Sequence, residues 1–115
     1  MKKVVLFSFN GELLCFVHVM LNALDMKDND YDVHLVLEGA SVALVPQLVD
    51  PANPFNALYT KLKAAGVVDG VCKACSTKLG VADAIRAEGL PLIGSMGGHP
   101  AMSDYIGRGY AVITF

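Results

Sequence analysis

The sequence has no tryptophan, three cysteines and few charges: 17% of its 115 residues are Asp, Glu, Lys or Arg. Each shortage excludes something. Three thiols (Cys15, Cys72, Cys75) are too few and too odd in number for a disulfide scaffold, and fit a reduced, cytoplasmic protein. A net charge of -2, with no basic stripe interleaved with aromatics, argues against direct nucleic-acid binding. No stretch reaches the roughly 18 apolar residues of a membrane helix. "MKKVVLFSF" imitates a signal peptide for nine residues, but Asn10, Gly11 and Glu12 interrupt it and no small-residue cleavage site follows. There is no GxGxxG, no GxxxxGK[ST] and no arguable Ser-His-Asp set. Repeats, linkers and low-complexity tracts are also missing.

What is present is apolar: 54% of the residues are hydrophobic. One domain spanning residues 1–115 is expected, and a chain this size buries about two-thirds of its unfolded surface. The apolar excess over what such a core absorbs points to a subunit interface, and so to a homo-oligomer.

The pattern alternates strands and helices. "KKVVLFSF" reads as a buried parallel strand. Residues 11–26 read as a helix with a stripe of Leu14, Val17, Leu21 and Leu24, widened by Leu13, Phe16 and Met20. Cys15, His18, Asn22 and Asp25 fall on another face. A polar turn leads to a second strand, "YDVHLVLEG", where His34 reads as a packing or interface residue, as does His18. Residues 41–54 read as a short helix and loop broken at Pro46, Pro51 and Pro54. A helix follows from an Asn53 cap, with Pro54 first and Gly66 past its end. "VVDGVC" is the third strand. Residues 76–89 read as one helix capped by Ser76 or Thr77 and stopped at Gly89. "LPLIGSM" is a short fourth strand, residues 97–109 a loop and final helix, and "YAVITF" the fifth strand. The order implies an α/β fold: a three-layer, flavodoxin-like sandwich with a mostly parallel five-stranded sheet and helices on both faces.

In such a sheet, ligands gather at the carboxyl ends of the strands. Asn10 and Gly11 follow the first strand, and Glu38, Gly39 and Ser41 the second. Cys72, Lys73 and Cys75 follow the third; Ser95, Gly97, Gly98 and His99 follow the fourth. A flavodoxin-like order makes strands one and three neighbours, setting Cys72 beside the Asn10–Gly11 turn. Cysteine reacts as thiolate, and Lys73, Lys78 and the start of the next helix are expected to favour that form. His99 reads either as a loop residue or as a proton donor to the pair; Glu38 as a solvated strand end or a partner for Lys73. Gly97 and Gly98 free backbone N–H groups to face an anion. Cys15, mid-helix, reads as inert packing.

Three chemistries compete for the CxxC. Zinc needs about four ligands, and two thiols with His99 are on offer without a second CxxC, so no metal or other cofactor is expected. A thioredoxin-like dithiol would follow the first strand, beside aromatics. A thiol that accepts and passes on sulfur needs exposure, a low pKa and an anion-friendly pocket, which this position supplies.

"VCKACSTKLGV" after the third strand, "LVLEGASV" after the second and "GYAVITF" at the end resemble the DsrE/DsrF-like proteins, which include the Tus sulfur-relay subunits. The resemblance covers nearly the whole chain. It implies a small parallel α/β domain assembled as a trimer or hexamer that works with sulfur-donor or sulfur-acceptor proteins. In relay members a cysteine lies eight residues before a glycine that opens the next helix. Cys72 stands eight before Gly80, so the resemblance makes Cys72 the persulfide position. Leu79 replaces the arginine common before that glycine, and the CxxC form adds Cys75. The expected activity is sulfane-sulfur transfer: Cys72 attacks, Cys75 resolves or shares the nucleophile role, Lys73 steadies the thiolate, and His99 protonates the departing group. Glu38, Asn10, Gly97 and Gly98 complete the expected cleft. The alternatives are a non-catalytic binding or assembly module and a CxxC redox switch.

Overall fold

A computed structural model describes residues 1–115. Its strands are β1 (Lys3–Ser8), β2 (Asp32–Leu37), β3 (Val68–Cys72), β4 (Leu92–Ile93) and β5 (Ala111–Thr114). The helices are α1 (Leu13–Asp28), α2 (Leu44–Val49), α3 (Asn56–Ala64), α4 (Lys73–Lys78), α5 (Ala82–Ala87) and α6 (Met102–Ile106), with a 3-10 turn over Gly39–Ala43. The strands form one all-parallel sheet in the order β4-β3-β2-β1-β5. A parallel strand covered on both faces needs unbroken apolar sequence, which is why Val4 to Phe7 are all buried.

The expected three-layer α/β sandwich is therefore present, but its strand order differs from the flavodoxin order. β2 lies between β1 and β3, so Cys72 does not neighbour the Asn10–Gly11 turn. Asn10 instead accepts the Glu12 backbone N–H at 2.8 Å and shapes the entry to α1. Stepping from β1 to β2 to β3 to β4 always in one direction, with crossovers of one hand, puts the connecting helices on one face. Accordingly Phe16 of α1, Leu44 of α2, Tyr59 of α3 and Ile85 of α5 share one large core with Leu6, Leu35 and Val71. The chain then returns across the sheet, and α6 covers part of the other face, where Tyr105 packs with Val5, Phe7 and Val36.

Several local expectations shift. Helix α1 buries Phe16, Val19, Met20, Ala23 and Leu24, while Leu14 and Leu21 are exposed. The stripe is rotated by about one position because the helix leans its Phe16 side on β1 and β2. Pro46 lies in the first turn of α2 rather than breaking it, where its missing N–H is tolerated. Asn53 bonds the Phe55 N–H at 2.9 Å, and α3 starts later, at Asn56. The single helix expected over 76–89 is two helices, α4 and α5, separated where Gly80 takes φ +72°, a conformation glycine adopts cheaply.

The less covered face carries a polar network that strand alternation does not announce. The register slips between Leu35↔Val68 and Val36↔Gly70, leaving Asp69 as the extra residue of a bulge. His34 packs edge-on against Tyr110 and is also hydrogen-bonded: its Nδ1 lies 2.8 Å from Asp69 and its Nε2 2.9 Å from Asp32. Tyr105 and Tyr110 donate their hydroxyls to Asp69 and Asp32, each at 2.6 Å. The Tyr110 hydroxyl holds the Asp32 carboxyl below its ordinary value, helped by His34 and Lys3 and opposed by desolvation.

Two outcomes check these assignments. Met20→Ala should cost about 2–5 kcal/mol in urea unfolding, whereas Leu21→Ala, one residue on, should stay within about 0.5 kcal/mol. A carboxyl depressed by folding stabilises fully above its unfolded pKa of about 3.9, and the contribution disappears as pH falls through the lower folded value. Wild type should accordingly lose more stability than Asp32→Asn when unfolding is compared at pH 5 and about pH 3.

Candidate functional site

Because β2, β3 and β4 are adjacent, their carboxyl ends open side by side. Glu38 leaves β2, Cys72 ends β3, and the loop after β4 carries His99. These elements bring Glu38, Cys72, Cys75 and His99 together, with one donor atom from each all within 4.8 Å of one another. His99 Nδ1 lies 3.2 Å from Cys72 Sγ, 3.8 Å from Cys75 Sγ and 3.7 Å from Glu38 Oε1.

Local sequence explains each placement. After β2 the chain turns sharply at Gly39, with φ +57°. Ser41 pins that turn by donating its hydroxyl to Ser8 O and Glu38 O at 2.7 and 2.8 Å. Glu38 N–H bonds Ser8 O at 2.8 Å, and its side chain is buried over the sheet edge. After β3 there is no loop: α4 begins at Lys73. Cys72 is its cap, accepting the Cys75 N–H on sulfur at 3.4 Å. The expected Ser76 or Thr77 cap thus moves to Cys72, and Cys75 falls in the first helical turn.

Gly97 and Gly98 are the central residues of a tight turn. Met96 and His99 bridge each other's backbone at 2.8 and 3.0 Å. The two central residues have φ +59° and +95°, the positive values that a primed hairpin turn needs. Gly98 O then accepts the Ala74 N–H at 2.9 Å, which ties the turn to α4. The consequence is that His99 points back at both sulfurs.

Lys73 does not join them. It occupies the first position of α4 with its side chain in solvent, and no hydrogen bond or ion pair links it to Glu38 or Cys72. Burial pushes the Cys72 thiol up to about 11; the Cys75 N–H works against this, and the Cys75 and Glu38 side chains add to it. Burial thus works against the thiolate expected at Cys72, and the Glu38 carboxyl adds to it. Glu38 is likewise raised, by burial first, with His99 and Cys72 pulling it down. Cys72 is fully buried and Cys75 partly exposed. Cys75 borders a cleft of about 290 Å³ formed with Gly39, Ala40, Lys78 and Leu79. Cys15 lies apart on α1, and Asn10 stays at the end of β1.

A small parallel α/β domain with a dithiol, an imidazole and a buried acid on the carboxyl edge of its sheet defines a narrow class. The profile of the DsrE/DsrF-like family matches residues 2–115, and the chain belongs to that family, which is linked to sulfur relay. It is 29% identical over 97 residues to an uncharacterised protein of Methanocaldococcus jannaschii, a match spanning 84% of this chain and 77% of that one. No solved structure matches the chain. No helix is long and apolar enough to cross a membrane.

The burial difference between the two thiols is directly measurable. In reduced, chelator-treated protein, iodoacetamide should label Cys75 well before Cys72, by peptide mass mapping. Equal rates in the folded state would mean that Cys72 is not sealed.

Proposed function

We propose that this protein is a cytoplasmic, homo-oligomeric sulfane-sulfur carrier that works through the Cys72–Cys75 pair. The observation that carries the reading is one partly exposed thiol on a cleft, backed by a buried thiol, with one imidazole nitrogen 3.2 and 3.8 Å from the two sulfurs. Exposure reverses the roles the resemblance implied: Cys75 takes the sulfur and Cys72 resolves.

The chemistry balances without an external oxidant. His99 Nδ1 takes the Cys75 proton as its sulfur attacks the outer sulfur of a donor persulfide. One S–S bond forms on Cys75, the donor's S–S bond breaks, and the donor leaves as a thiol with the proton. Glu38, 3.7 Å from the same His99 nitrogen, stabilises the imidazolium that forms. An acceptor thiolate then removes the outer sulfur by the same exchange. With no acceptor, Cys72 gives its proton to His99 Nδ1, 3.2 Å away, and attacks the inner sulfur of Cys75, forming a disulfide and expelling hydrosulfide, which takes up that proton on leaving. A dithiol reductant must then reset the pair. Lys78, which lines the cleft, supplies the positive charge that draws an anionic donor toward Cys75. Leu14, Leu21 and Ile113 are exposed apolar side chains that support assembly into a trimer or hexamer, readable by light scattering.

Incubation of metal-free, reduced protein with glutathione persulfide should add one sulfur atom per chain by intact mass. Cys75→Ser should gain none. Cys72→Ser should gain it and retain it longer than wild type, having lost its resolving thiol. Uptake by Cys75→Ser at the wild-type rate would overturn the entry role, and no uptake by Cys72→Ser, which cannot resolve, would overturn the carrier. A reversible Cys72–Cys75 disulfide without sulfur uptake would make the pair a redox switch.

A further inference from the structure

We infer that Glu38, Cys72, Cys75 and His99 form a tetrahedral site for a zinc ion. The inference goes beyond sulfur carriage and does not depend on it. It stands on the positions of the four donor atoms.

A tetrahedral zinc ion binds thiolate sulfur at about 2.3 Å and imidazole nitrogen or carboxylate oxygen at about 2.0–2.2 Å, which sets neighbouring donors about 3.4–3.8 Å apart. The separations from His99 Nδ1 are 3.2 Å to Cys72 Sγ, 3.8 Å to Cys75 Sγ and 3.7 Å to Glu38 Oε1. All four donors lie within 4.8 Å of one another, at most about 1 Å beyond a tetrahedral edge, so a central ion needs side-chain adjustments of up to about an ångström and no refolding. The donor set matches the metal: two soft thiolates and an imidazole favour zinc, and disfavour magnesium or calcium, which take oxygen ligands.

The surroundings fit as well. Three groups that ionise to anions converge here, and His99 is the one basic side chain in direct contact with them. A divalent cation would resolve that imbalance, with metal binding releasing the thiol protons. The Cys75 N–H already donates to Cys72 Sγ, and the Gly97–Gly98 turn fixes the imidazole, so outer contacts hold the ligands in place. The fourth ligand comes from β2, far in sequence from the CxxC. All four positions are filled by protein, which makes the site closed. Metal-bound thiolates are also occupied, so zinc and sulfane sulfur exclude each other at Cys75.

The test uses reduced full-length protein stripped with chelator and titrated with cobalt(II) and then zinc(II) chloride. One cobalt per chain is expected, with the intense visible bands of tetrahedral cobalt and thiolate charge transfer, both erased by one zinc and unaffected by magnesium. Removing an outer-shell partner typically costs about 10–100-fold in affinity, so His99→Ala and Cys75→Ser, each losing a ligand, should lose more than about a hundredfold. Glu38→Gln, which keeps an amide oxygen in the place of the carboxylate, should lose about tenfold to a hundredfold. His99 is a partly exposed side chain, so unchanged circular dichroism in His99→Ala keeps folding out of the comparison. Zinc-loaded protein should refuse sulfur from glutathione persulfide until chelator is added. The inference is overturned by no stoichiometric uptake, by a weak octahedral cobalt spectrum, by full affinity in the Cys72→Ser/Cys75→Ser double variant, or, if the metal-free protein accepts sulfur, by equal sulfur uptake with and without zinc. Tight zinc binding together with no sulfur uptake by the metal-free chain supports this site while sinking the carrier.

Discussion

Parallel pairing of β2, β3 and β4 holds three chain exits side by side, and the chemistry of this protein depends on that alignment. Parallel strands all point their carboxyl ends the same way, so whatever residue follows each strand is delivered to a common edge. Val71 pairs with Leu92 and Leu37 pairs with Val71, which puts Glu38, Cys72 and the loop to His99 within reach of one another. Were β1 to separate β2 from β3, the acid would lie one strand spacing farther from the thiols. The large core on one face anchors this arrangement, because Leu35, Val71, Ile85 and Cys72 itself belong to the same packed cluster.

Burial then sets the character of the groups so gathered. Taking a thiol and a carboxyl out of water favours their neutral forms, and both Cys72 and Glu38 are displaced in that direction. Cys75, one helical turn along, faces the cleft and escapes that enclosure. The pair is thus asymmetric by position: one sulfur borders the cleft, the other is enclosed by its neighbours. A cation centred among the four donors would reverse the preference of the buried pair, and so the same geometry supports two incompatible occupations.

The opposite face uses polar groups differently. His34 sits between two carboxylates, each also bonded by a tyrosine hydroxyl, and the guanidinium of Arg108 lies over both tyrosine rings. Both carboxylates there have hydrogen-bond partners, which accounts for aspartates on a sheet face beside Val5, Phe7 and Val36. Around the CxxC, by contrast, a carboxyl and two thiols meet a single imidazole.

Much of this was legible in the residues. Apolar runs and alternating element types are local consequences of burial and backbone propensity, so the strands, the three layers and the carboxyl-edge location of the CxxC could be read from the sequence. So could the identities of Glu38, Cys72, Cys75 and His99 as candidates. Other features depend on distant residues. The Asp69 bulge that meets His34, the start of α4 directly at Lys73, and the rotation of α1 that exposes Leu14 and Leu21 arise from packing between elements. The Gly97–Gly98 pair was visible as a turn signal, but not the direction in which it aims His99.

Sequence alone determined which residues want burial, where the chain changes direction, and which side chains carry sulfur, acid and imidazole chemistry. Tertiary structure alone decided strand order, and with it that Glu38 rather than Asn10 faces the thiols, that Lys73 stands outside, and that Cys72 is sealed while Cys75 is open. The reason is physical: propensity acts over a few neighbouring residues, whereas distance between side chains and access to water are set by the whole packed chain.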